Sequence, residues 1–236
     1  MDFAIFGPQG INYILKWLHF FFGIMWIGHL YYFNFTQGSV IPKIEPANVR
    51  PNVLAKLLPE ALWWFRWGAM WTLVTGLLML HFSQYAGFSL MTGGSFTPWG
   101  IQILTGGLFG ILMWANVWFV IWPYQKVVIA SNTQVAGGGQ AIPEAAALGA
   151  KALLASRTNT LFSVPMLFYM GAGAHLGMNL DVSKAGLWFA VLAVIAGGLQ
   201  FNAIKGKIGP MQTVKGVIAC GFGLTALIYF LMEIIL

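Results

Sequence analysis

Six stretches of about twenty or more mostly apolar residues run through the chain, near Ile11–Phe35, Ala61–Tyr85, Trp99–Trp122, Thr158–Leu180, Ala185–Ile204 and Met211–Leu236. An α-helix needs about 20 such residues to cross the hydrocarbon of a bilayer. The sequence also lacks the material for a water-facing coat. Only 8% of its residues are charged, whereas a soluble domain carries about 25%. The fold class expected is therefore all-α: a polytopic membrane helical bundle of about six transmembrane helices, forming a single integral membrane domain over residues 1–236.

The basic residues orient this bundle. If the polar, proline-rich segment Ser39–Pro59 is cytoplasmic, Lys43, Arg50, Lys56, Arg66, Lys126, Lys151, Arg157, Lys205, Lys207 and Lys215 fall on that side, against Lys16 and Lys184 on the other. Cytoplasmic segments of inner-membrane proteins carry such an excess of Lys and Arg. The cytoplasmic loops are then expected at about 36–60, 123–157 and 205–210. An even number of crossings places both termini on the non-cytoplasmic side, in a bacterial inner membrane. The net charge of +6 is read as topology and lipid contact, with no nucleic-acid partner. Ser131–Arg157 is the longest connection; Pro143-Glu144 should open a helix over Ala145–Ser156 that leads into the fourth span. No basic region precedes the first apolar run, so that run reads as a retained span.

Ionisable side chains inside a bilayer are costly and mark function by default. All four histidines, His19, His29, His81 and His175, fall in expected spans. By a rise of about 1.5 Å per residue, His19, His81 and His175 share the outer half of the membrane, on three helices; His29 lies about 15 Å deeper than His19. Neutral imidazole ligates haem iron. The expectation is one haem b, with a second possible by count of histidines, held by His19 and His175, with His81 as a substitute or propionate contact. His29 is left for a second, deeper haem or for a hydrogen bond to a neighbouring helix. Interhelical polar contacts explain any one of these histidines equally well.

Trp26 lies mid-span, seven residues after His19 and on the same face, where it could pack against a porphyrin or against another helix. Gly106, Gly107 and Gly110, with Gly197 and Gly198, allow close helix contact or make room for a flat cofactor. Arg157, Asn159 and Ser163 open the fourth span and are candidates for contacting a polar substrate; capping and snorkelling account for them too. Pro165 should kink that helix. Arg66 among Trp63, Trp64 and Trp67 reads as an interfacial anchor, and Asn116 as polar glue between helices. Cys220 is alone and forms neither CxxC nor CxxCH. There is no phosphate-binding loop, no His-Glu-x-x-His helix and no pair of buried carboxylates.

Three stretches carry a family resemblance. Leu15-Lys16-Trp17-Leu18-His19 with Gly23-Ile24-Met25-Trp26-Ile27-Gly28 is similar to the first helix of several haem-linked membrane families, among them the copper-resistance D type and the membrane protoporphyrinogen oxidases. Trp122-Pro123-Tyr124-Gln125-Lys126 and the run from Ser156 through Met170 to His175 sharpen it. Together they resemble the N-terminal membrane domain of bacterial membrane-bound urate oxidases (urate hydroxylases), most clearly up to about Gly177. That resemblance implies urate oxidation with electrons passed to a cytochrome c domain. This chain has no CxxCH before it stops at Leu236, so the acceptor expected is a separate periplasmic cytochrome c. The leading reading is a membrane-embedded haem-b redox protein. The alternatives are a non-catalytic accessory or assembly subunit of a larger respiratory or photosynthetic membrane complex, and transport of a metal or small solute along the histidines.

Overall fold

The computed structural model describes residues 3–236, which form a helical bundle. Helix α1 (Pro8–Tyr31) starts on a proline in its first turn and runs on through a π-helical segment, Tyr32–Gln37. Helix α2 is Arg50–Phe82. Helix α3 (Pro98–Asn116) passes through a second π segment, Val117–Ile121, into α4 (Trp122–Ala136). Helix α5 is Ala145–His175, α6 Ala185–Lys205 and α7 Val214–Ile235. The one exception to the helical class among the described residues is a two-residue antiparallel pair, Met91–Thr92 with Ser95–Phe96, closed by Gly93 and Gly94 at positive φ. Both central residues of such a tight hairpin turn need that left-handed backbone.

Three continuous helical runs are long and apolar enough to cross a membrane, Pro98–Ala136, Val182–Lys205 and Val214–Ile235. The six helical rods expected from the apolar stretches are all present, but three start or end well outside those stretches. Helix α2 begins at Arg50, eleven residues before the expected boundary at Ala61, and accommodates Pro59 in its interior. Its buried positions Leu58, Ala61, Leu62, Phe65, Ala69, Thr72 and Thr75 recur at three- and four-residue intervals, so one continuous face packs along its length. Helix α4 carries the third rod to Ala136, and the expected long connection Ser131–Arg157 contracts to the few residues between Ala136 and Ala145. The helix expected from Ala145 does lead without a break into the fourth apolar stretch, through Pro165.

Helix α5 is the centre of the bundle, packed against α1, α3, α4, α6 and α7, while α1 pairs chiefly with α2. Where Gly106 of α3 crosses α5, an added Cβ would lie 3.2 Å from the backbone at Met166 and Met170, so glycine sets the separation of these helices. Pro165 has no N–H to offer the carbonyl of Leu161. Gly221 of α7 approaches at that level, its would-be Cβ 3.5 Å from the Leu161 oxygen.

Candidate functional site

Two features of the interior carry polar chemistry. The first is a half-open cavity of about 440 Å³ between α1, α2, α3 and α5. His19 and Trp26 line it from α1, Thr72 and Gly76 from α2, and Met166 and Met170 from α5. Glycines supply much of the remaining wall: Gly23, Gly28, Gly107 and Gly110 all line it. A Cβ added at Gly23, Gly28 or Gly107 would meet nothing within 4 Å, whereas at Gly76 it would come within 3.1 Å of His19 Cε1. Gly76 is thus what admits the imidazole, and the other glycines keep the space open.

His19 Nδ1 lies 3.1 Å from Thr75 Oγ1, whose hydroxyl reaches the Trp71 carbonyl at 2.7 Å. In the tautomer with the proton on Nδ1, the imidazole donates to Thr75 and Nε2 presents the lone pair that a metal takes. Trp26 is 2% exposed and its indole Nε1 finds no acceptor among the described residues. The cavity therefore offers one oriented imidazole, one unused N–H donor and two thioether sulfurs.

His81 closes α2 and His175 closes α5; both are exposed, and neither is among the residues that line the cavity. His81 directly follows Leu80 of the cavity wall, and His175 lies five residues beyond Met170, about 7.5 Å along the axis. His29 is half-buried, and its Nδ1 donates to the Met25 carbonyl one turn back at 2.7 Å. Among the described residues no three His, Cys, Asp or Glu side chains gather closely enough to hold a metal. The cavity brings His19 together with Met166 and Met170 of α5, and its lining includes neither His175 nor His81. Sequence reasoning missed Met166, Met170, Thr72, Thr75 and Gly76. The threonine pair and glycine one turn apart on α2 were the available signal.

The second feature is the buried polar stripe Arg157–Ser163 on α5. Asn159 is fully enclosed: its Nδ2 donates to the Met113 carbonyl at 2.9 Å, and its Oδ1 accepts from Asn116 Nδ2 at 2.8 Å. Asn116 is bonded in both directions to Gln200 of α6, donating at 3.0 Å and accepting at 2.6 Å. These amides lock α3, α5 and α6 together. Ser163 donates to the Thr160 carbonyl and accepts from the Tyr31 hydroxyl at 2.8 Å. Both candidate substrate contacts are thus committed to helix packing. Arg157 is not: it is 7% exposed, and its Nε and Nη1 have no partner in the chain. Arg66 lies with its guanidinium 3.3 Å from the Trp122 ring centroid and its Nε on the Leu62 carbonyl.

Residues 87–226 match the family model of the urate oxidase N-terminal domain. That is more than half of the chain. This protein belongs to the urate oxidase N-terminal family. No curated protein and no solved structure matches it. The matched region takes in Trp122–Lys126, the Ser156–His175 run, the amide lock and most of α7, and so extends past the resemblance seen up to Gly177. It leaves out α1 and α2, so within the cavity the family match covers the Gly107, Gly110, Met166 and Met170 walls and not His19 or Trp26.

Proposed function

We propose that this member of the urate oxidase N-terminal family is a six-span membrane redox protein with both termini outside, holding a haem b in the His19 cavity and passing electrons to a separate periplasmic cytochrome c. The observation that carries the reading is His19: an imidazole fixed on Thr75 through Nδ1, with Nε2 free, in a glycine-walled space within the size range of small-molecule sites. The residues present fit the group. His19 and either Met166 or Met170 would hold the iron, and Trp26 would contact the porphyrin. Haem iron supplies one-electron redox chemistry, and a His/Met pair raises its potential relative to two imidazoles. The chain's own part is to orient His19 through Thr75, to line the space with apolar side chains such as Trp26 and Ile27, and to leave room at Gly23, Gly28 and Gly107. Urate oxidation is the activity the family name supplies, and it is proposed here on that ground.

The test is a reduced-minus-oxidised optical spectrum of the purified protein, with extraction of any pigment. A b-type haem band is expected, lost in His19→Ala, retained in His175→Ala and His81→Ala, and shifted when the ligating methionine is changed to leucine. Protein purified from haem-replete cells with no haem would reject the proposal, and loss of the band in His175→Ala would restore the two-imidazole pairing.

A further inference from the structure

Arg157 has no role in that scheme, yet it is enclosed by protein. Among the described residues the ion pairs are Arg50–Glu45 and Lys184–Asp181, so no carboxylate balances it. A guanidinium keeps its proton. Water can satisfy its N–H groups but cannot supply a counter-charge, and an unbalanced buried cation is strongly unfavourable.

Its place in the fold says where the counter-charge comes from. A groove of about 960 Å³ runs between α1 and α7 over the face of α5, lined among others by Tyr31, Phe35, Val164, Phe168, Phe222 and Phe230. On α5 its wall follows Thr160, Val164 and Phe168. Arg157 stands three residues before Thr160, on the same face, at the end of the groove near the basic side. Asn34 of α1 is tied to that end, donating to Ser156 Oγ at 2.8 Å. Asn34 Oδ1 and Gln37 Oε1, both in the π segment, are buried without partners. On α5 the groove wall runs from Thr160 to Phe168, about 12 Å, and Leu176 just beyond the helix extends it. Phe222 and Phe230 are 65% and 61% exposed along it. The groove is apolar along its length; Arg157, Asn34 and Gln37 do not line it but lie within about one helical turn of its Thr160 and Phe35 walls.

We propose that this groove holds an anionic phospholipid of the phosphatidylglycerol kind. Its phosphate meets Arg157 at the level of the basic-side headgroups, its glycerol hydroxyls donate to Asn34 Oδ1 and Gln37 Oε1, and one acyl chain lies along Val164 and Phe168. The proposal rests on the membrane reading and not on the haem. A chain found outside the membrane fraction would defeat that reading, whereas the lipid measurement can fail with membrane insertion intact. Protein is extracted in mild detergent, and the phospholipid that stays bound is counted by native mass spectrometry after exchange against phosphatidylglycerol and phosphatidylcholine. About one phosphatidylglycerol per chain should survive washing. Its affinity should fall about tenfold or more in Arg157→Gln, as for loss of a charge-assisted bond. Arg157→Lys should retain it in large part, and Val164→Trp, which fills the groove and leaves the charge, should lose it. Equal retention by Arg157→Gln, no preference for phosphatidylglycerol over phosphatidylcholine, or a loss in Arg157→Gln of urate binding alone would overturn it; the last outcome would make Arg157 a substrate contact.

Discussion

Truncating Asn159 tests the amide lock at the centre of the family region. Asn159→Ala removes two interhelical hydrogen bonds, to the Met113 carbonyl and from Asn116. Such bonds average about 0.6 kcal/mol in a bilayer, with an upper value near 1.7, so the pair is worth about 1.2 kcal/mol. The side chain is fully buried, and the void it leaves adds about 1 kcal/mol. No partner is stranded: Asn116 keeps Gln200, and the Met113 carbonyl keeps the Val117 N–H. The loss should therefore be about 2 kcal/mol, short of the roughly 3–5 expected when a buried charge is left alone. Asn116→Ala gives up three bonds and should cost somewhat more. Because the two residues share one bond, the double variant should be less destabilised than the sum by about 0.6 kcal/mol. Reversible unfolding in mixed micelles, run as a double-mutant cycle, measures this directly. Additivity to within about 0.3 kcal/mol would mean that the two amides do not pair, and the account of how α3, α5 and α6 are joined would fall.

Two further outcomes are expected. Gly106→Ala should destabilise by about 1–3 kcal/mol through overpacking, because the new methyl meets backbone on α5, whereas Gly107→Ala, with nothing within 4 Å, should leave stability unchanged; equal effects in thermal melts would contradict the helix spacing. On the loop between α5 and α6, the Ser183 hydroxyl and then Lys184 hold the Asp181 carboxyl below its usual range. The charged form is thus favoured in the fold, and its contribution is complete above the unfolded value of about 3.9 and disappears as pH falls through the lower folded value. Melting temperatures of wild type and Asp181→Asn should differ at neutral pH and converge in acid; a constant difference down to about pH 2, below both values, would exclude this cap.

Hydropathy made the six rods legible because it reads the part of each helix that avoids water. It was blind where helices continue past the apolar run. Arg50–Glu60 is polar overall, and only the spacing of Leu54 and Leu58 with Leu62 and Phe65 marks it as the start of α2. Of the site, the sequence exposed His19, Trp26 and the glycines of α3, since each is an unusual residue for its depth. Met166 and Met170 were hidden because methionine in an apolar helix is ordinary until a tertiary neighbour gives it a role. His81 and His175 stand outside the cavity wall for a related reason. Periodicity locates a residue around a helix, but the place where a helix ends depends on the segment after it, and both histidines sit in a last turn. Asn159 and Ser163 stood out as polar groups in an apolar span, and only their partners show that packing uses them.

The third rod has a mechanical consequence. At 39 residues, Pro98–Ala136 measures about 58 Å, almost twice the roughly 30 Å of bilayer hydrocarbon. Tilt alone would need about 60°, beyond the roughly 0–40° that membrane helices adopt. On the six-span reading proposed above, its far end stands clear of the lipid with the early turns of α5 alongside, so an edge-on view of the protein in a nanodisc should show helical density projecting from one face.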